Sequence, residues 1–409
     1  MTAVQCGAPP APPEVRQRLE PIGAPPIDLR LMLQPAHQRQ APRYIAAVTA
    51  TLKQMGEWLG PLPHASLTIV DPPWRGPAVT TGANVVVLDR TPWWSSPTAM
   101  TPELTVARGL ARRRWAETLA EGDLPAWFIE GLAEFSARRA VVPLFEADNL
   151  SPGYAFLEQR FFGGFVPRFA RVRLLAETDG EPLPAYRANP AVTVAAGVPA
   201  PDNARSLEAK TVLALGTLER WVSRPVFDQV IAQFARDSRS RRPSVTGFAQ
   251  VAADVSGQDL AWFFEEALAS SRIFDYGVER LTSEPDPAGQ FSTTAIVRRY
   301  GDARFTGSNA APSGPFEAGR GVSLLVQFAD GQQRLEVWDG RAIEKMFRYH
   351  SPARAVSAVV DPDRIVLLDV NRTNNSMTLA PLARSAASMW AVRWMLWLEQ
   401  ALLNYGALV

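Results

Sequence analysis

Cysteine is nearly missing from this chain: Cys6 stands alone among 409 residues, which excludes an intrachain disulfide and a thiolate metal cluster. Histidine is almost as scarce. His37, His64 and His350 are dispersed, none lies one helical turn from another, and each is read as structural rather than as a metal ligand. Neither sign of charge is in excess, with 42 Lys and Arg against 41 Asp and Glu, so no nucleic-acid footprint is implied. What is present is globular. An apolar fraction of 47% beside 20% charged residues can bury a sizeable core, and the length suits two or three domains.

Residues 1–41 are rich in proline (GAPPAPPEV, PIGAPPI) and read as a disordered, extended lead-in. They lack the basic start and apolar core of a signal peptide. A helix is expected over 43–59, ended by Gly60 and Pro61, then strands over 64–70 and 83–88. Trp93 and Trp94 fall in the following loop, as the lip of a cleft or as lid packing. Residues 104–135 then read as two amphipathic helices joined by a polar turn. Arg108 and Arg112 stand one turn apart on the first, Glu130 and Glu134 one turn apart on the second.

Beyond them, 140–205 reads as an irregular insertion, and helices follow over 209–221, 226–235, 244–253 and 257–264. The period changes to that of strands over 292–299, 322–328, 333–338, 347–350, 355–360 and 364–370, with a hairpin turn at Asp330-Gly331. An antiparallel β-sandwich is the natural reading. Asp361, Asp369 and Asn371 are read as turn formers rather than calcium ligands, since their spacing is no EF-hand. The last segment, 387–408, forms an amphipathic helix carrying Trp390, Trp394 and Trp397. Arg393, Glu399 and Gln400 interrupt it before the ~20 apolar residues of a spanning helix. It docks on the body or contacts a membrane surface.

The helix pair resembles that of the gluzincin zinc metallopeptidases, the aminopeptidase N-like family. Glu130-Gly131-Leu132-Ala133-Glu134-Phe135 matches the family's second helix, whose glutamate is the third zinc ligand. The first helix matches in frame but not in chemistry. Arg108, Gly109 and Arg112 stand where the H-E-x-x-H motif has its first histidine, general base and second histidine. Ser256, Gly257, Asp259, Leu260, Trp262, Phe263 and Phe264 match a structural S-G-x-D-L-x-W-F-F mark of the helical half. Two residues before Lys210, Glu208 replaces the family's oxyanion-binding tyrosine, and a carboxylate there repels developing negative charge.

What the resemblance implies is an α+β protein with a thermolysin-like lobe (42–140) carrying a degenerate zinc helix pair. An insertion and an α-helical lobe (141–285), a β-sandwich (290–380) and a C-terminal amphipathic helix (381–409) complete it. Arginine has only donors and glycine accepts no proton, so the zinc of the family is expected to be lost and no cofactor is expected. The expected function is that of a catalytically inactive homologue, keeping Glu130, Glu134, Lys210, Trp93 and Trp94 as a residual cleft for a peptide or protein. Two alternatives are a displaced hydrolase using Glu130 with Glu134 or Glu117 with Glu121, and a module of a membrane-associated assembly. The compartment and the oligomeric state are left open by the sequence.

Overall fold

In the computed structural model, the described residues are 14–20, 25–72, 84–88, 101–119, 124–145, 182–192, 201–307 and 321–380, with positions 387, 391, 394 and 398. They fall into two compact units. The first holds residues up to Thr118 together with Ser136–Leu175 and Trp394–Val409; the second holds Leu119–Phe135 and Ala176–Arg393.

The first unit is built on a mixed sheet in the order β1-β2-β3-β4. β1 (Glu14–Leu19) and β2 (Ile27–Met32) are antiparallel, while β3 (Ser66–Val70) and β4 (Val85–Val87) continue the sheet in parallel. The lead-in expected to be disordered thus supplies two strands. In IDLRLM the alternation buries Ile27, Leu29 and Leu31 and exposes Asp28 and Arg30, and the flanking prolines bracket the strands without interrupting them.

Between β2 and β3 runs α1 (Ala41–Leu59), whose Tyr44, Val48 and Leu52 pack with Leu29, Leu31 and Ile69 in one core. Each such fully buried side chain contributes roughly 1.5–3 kcal/mol. Gly60 ends α1 at φ 82°, returning its N–H to Gly56 O. Arg114 of the next helix donates to the carbonyls of Gly60 at 2.8 Å and Pro61 at 3.3 Å. That helix, α2 (Thr101–Thr118), adds Val106 and Leu110 to the core and is held to α1 by a two-pronged pair from Arg43 to Glu103 at 2.5 and 2.8 Å.

In the second unit, α3 (Ala126–Val141) contributes its first turns to a helical layer, while its last turns belong to the first unit. The layer continues with α4 (Pro182–Ala188), α5 (Pro201–Val222), α6 (Arg224–Asp237), α7 (Val245–Ser256) and α8 (Ala261–Phe264), which runs on as a π-helical turn over Glu265–Ala269. The stretch expected to be irregular up to residue 205 therefore carries α4 and the start of α5; its earlier part, 146–181, lies outside the described residues. Ser256 to Phe264 has the structural role expected of it. Gly257 closes α7 at φ 66°, Asp259 accepts the Ala261 N–H at 3.1 Å, and Trp262 and Phe263 stack edge-on with Phe305.

Two antiparallel sheets follow, one in the order β5-β6-β9 and one in the order β11-β10-β7-β8. Their strands are β5 (Tyr276–Pro285), β6 (Phe291–Arg299), β7 (Val322–Phe328), β8 (Gln333–Trp338), β9 (Glu344–Ser351), β10 (Ala355–Val360) and β11 (Ser376–Thr378). They meet through edge-to-face pairs of Tyr276 with Trp338 and of Phe328 with Tyr349.

Two expectations fail here: the first sheet begins at Tyr276 rather than near 290, and 364–370 is not a strand. The latter's amides are claimed by side chains, Ile365 and Val366 donating to Asp361 at 2.8 Å and Leu367 to Thr217 Oγ1 at 3.0 Å. Among the described residues no helix is long and apolar enough to cross a membrane.

Candidate functional site

In the first unit, the α2 positions are set by packing on β4. Val106, Leu110 and Trp115 of α2 are fully buried, which fixes the helix rotation and leaves Arg108 and Arg112 half-buried, one turn apart on a different face. Gly109, between them, is buried and faces the end of the sheet. A Cβ built there would stand 3.1 Å from Val86 Cγ1 and 3.2 Å from Leu88 Cδ2, tighter than ordinary contact. Below this turn, Trp115 Nε1 donates to Ser136 Oγ at 2.9 Å, tying α2 to the end of α3.

Glu117, weighed in the sequence as half of an acid–base pair, is engaged by Arg113 at 2.5 Å, Arg114 at 3.4 Å and His64 at 3.4 Å. These contacts tie Glu117 to β3's approach and to its own helix. Its expected companion Glu121 lies outside the described residues, as do Trp93 and Trp94.

In the second unit, the α3 positions are set by a helix crossing. Gly131 meets α5 so closely that a Cβ would fall 2.5 Å from Thr211 Cγ2 and 3.6 Å from the Glu208 carbonyl oxygen. Only glycine permits that approach, and it carries Glu130 and Glu208 to the same crossing of the second unit. Both are half-buried, whereas Glu134 is buried.

Lys210 does not belong to an open cleft, contrary to expectation. It is wholly buried, and its Nζ donates to Val192 O at 2.8 Å and Ser270 O at 3.2 Å. Burial lowers its pKa to about 8. The π-helical turn ends where Ser270 offers that carbonyl, so Lys210 ties α5 to the chain after α4 and after α8. Nothing in the sequence pattern announced this role, since a lysine two residues from a site position reads first as a site residue.

Of the three histidines, His37 is buried against Asp71, Nδ1 lying 2.5 Å from Oδ2, while Gln34 N–H donates to the same carboxylate at 3.1 Å. His350 is exposed, with its nearest acidic contact Asp286 at 3.8 Å. Asp369 accepts from Asn371 N at 3.0 Å, Asn375 Nδ2 at 3.1 Å and Tyr276 N at 3.3 Å, and Asn371 in turn accepts from Thr373 Oγ1 at 2.6 Å. Burial raises the Asp369 carboxyl to about 6 despite those donors. Asp361, Asp369 and Asn371 are thus turn formers that shape 361–375.

The residues do not fit the zinc that the resemblance implies. Neither the Arg108 nor the Arg112 guanidinium has a lone pair, position 109 bears no side chain, and of the four matching positions Glu130 alone retains a metal-binding atom.

The sequence matches no protein-family model and no curated protein. Its structure is similar to that of Legionella pneumophila aminopeptidase A, solved in complex with aspartic acid, with a TM-score of 0.56 at 12% identity. The match covers 87% of this chain and 38% of that one, so the chain spans about two fifths of that enzyme's length. Mixed helices and antiparallel sheets in this arrangement give the chain an aminopeptidase-like α+β fold.

Proposed function

We propose that the protein is a catalytically inactive homologue of the gluzincin aminopeptidases that uses the cleft region of the fold to bind a peptide or protein. The observation that carries this reading is the turn Arg108-Gly109-Arg112. Metal binding needs lone pairs where two guanidinium groups stand, and a general base needs a carboxylate where Gly109 has no side chain and a Cβ would crowd Val86 and Leu88. The replacement of the oxyanion tyrosine by Glu208 acts in the same direction, because a carboxylate opposes the charge of a tetrahedral intermediate.

Zinc content and turnover of a mixed peptide library, measured on the natural chain beside Arg108→His/Gly109→Glu/Arg112→His, test the reading. The natural chain is expected to hold no stoichiometric zinc and to cleave nothing, while binding peptides from the library in a manner weakened by Arg112→Ala. Stoichiometric zinc with turnover abolished by Glu130→Ala would overturn it in favour of an active hydrolase.

A further inference from the structure

Strand β8 closes one end of the four-stranded sheet, and among the described residues no strand lies on its side away from β7. Natural edge strands are commonly shielded by a bulge or a proline. β8 has neither. It pairs with β7 in one unbroken register, from Val322 opposite Trp338 to Gln327 opposite Gln333. The ladders of β10 on β7 and of β5 on β6, by contrast, each contain a register shift.

The hairpin decides which backbone groups of β8 face outward. Phe328 N–H donates to Gln332 O at 2.9 Å, so the hydrogen-bonded pairs of the ladder recur at Val326–Arg334 and Leu324–Glu336. The N–H and C=O groups of Gln333, Leu335 and Val337 therefore turn away from β7. In keeping with this, the Val337 carbonyl accepts from Lys345 Nζ at 3.2 Å, which uses one of its two lone pairs.

The side chains of β8 carry a matching symmetry. Leu335 stands on the outer face at 61% exposure, in register with Leu325 of β7 and, through it, with Val359 of β10. Arg334 and Glu336 flank it and project to the opposite face. Among the described residues neither of them is held in an ion pair. An antiparallel strand laid on this edge with a two-fold axis at Leu335 sets Arg334 opposite Glu336 of the second copy, and Glu336 opposite its Arg334. The same register aligns the outward groups of residues 333, 335 and 337 with their counterparts. A slip of two residues keeps that alignment but sets Arg334 against Arg334, or Glu336 against Glu336, so the charges select one register.

We propose that two copies of the chain join through their β8 edges about a two-fold axis at Leu335, forming one continuous eight-stranded sheet. The two Leu335 side chains then link the Leu325–Val359 rows of both copies on the outer face, and two Arg334–Glu336 pairs close the other face. Six residues span only ~20 Å. The contact falls below the ~800 Å² per partner of a standard interface, so the dimer is reversible.

Sedimentation velocity of the full chain from about 1 μM to about 1 mM, with Arg334→Glu, Glu336→Arg and the double variant, tests this. Circular dichroism confirms that each variant is folded. Arg334→Glu places carboxylates on both sides of Leu335 and Glu336→Arg places guanidinium groups there, so each alone is expected to self-associate at least about tenfold more weakly than the natural chain. An equimolar mixture of the two single variants, and the double variant by itself, are both expected to regain the natural association, because opposite charges meet again. A natural chain that stays monomeric across the range overturns the proposal. Single variants that associate like the natural chain, or a mixture no tighter than its components, do the same by assigning any dimer to another surface.

Discussion

Gly109→Ala tests the wall behind α2. In a helix interior, alanine is favoured over glycine by about 1 kcal/mol. Here the new methyl stands 3.1 Å from Val86 Cγ1 and 3.2 Å from Leu88 Cδ2, and overpacking of a filled core costs ~1–3 kcal/mol. The expected net effect is a loss of about 1 kcal/mol. Val86, itself 1% exposed, can be shortened to open the space. Val86→Ala alone loses roughly 1–2.5 kcal/mol through the cavity it leaves. With Val86→Ala in place, Gly109→Ala fills part of that cavity while the Leu88 contact remains, so about half of the helix preference is expected to be recovered, a coupling of about 1.5 kcal/mol between the two positions. Urea unfolding of the four proteins, followed by far-ultraviolet circular dichroism, measures it. Additive effects, or a Gly109→Ala protein more stable than the natural chain, would show that the β4 wall yields freely and that no packing barrier stands at the base position.

Two further outcomes follow from the second unit. Gly131→Ala forces a methyl to within 2.5 Å of Thr211 Cγ2, so α3 and α5 must separate; a loss of ~2–4 kcal/mol is expected in urea, undiminished by Thr211→Ser if the backbones themselves set the approach. Lys210 titrates near 8 when folded and near 10.5 when unfolded, so between those values the unfolded chain binds more protons and stability rises with pH. The gain is at most about 3 kcal/mol by linkage. Lys210→Met should flatten the rise in denaturant midpoint across that window, and a slope unchanged by the substitution would assign it to another group.

Most of the regular structure was legible because it follows from periodicity. The 3.6-residue period of α1 and the alternation of β6, β7 and β10 are local properties, and they survive in the fold. What misled were segments in which composition and pattern disagree. Pro12-Pro13 and Pro25-Pro26 suggest disorder, yet each precedes a strand that needs no donor from it. Residues 364–370 alternate like a strand, yet Asp361 and Thr217 capture their amides before another strand can. The second capture cannot be read locally, since Thr217 lies 150 residues away.

At the candidate site the division is sharper, because the capacity to ligate a metal depends on atom types and arrangement depends on packing. That arginine and glycine offer no metal ligand and no base is readable from three letters. That Lys210 is sealed among backbone carbonyls, and that Gly131 is held by Thr211, required the crossing of α5 with distant segments.

Gly109 joins the two kinds of information. A chain that had merely lost a general base would leave room at that position for the side chain to return. Instead Val86 Cγ1 and Leu88 Cδ2 stand 3.1 and 3.2 Å from where that side chain's Cβ would sit, so its return has to displace both by a few tenths of an ångström. The triple substitution that restores the motif on paper is therefore expected to bind zinc poorly unless Val86→Ala accompanies it, and that dependence separates a site whose surroundings have repacked from one that lost its ligands alone.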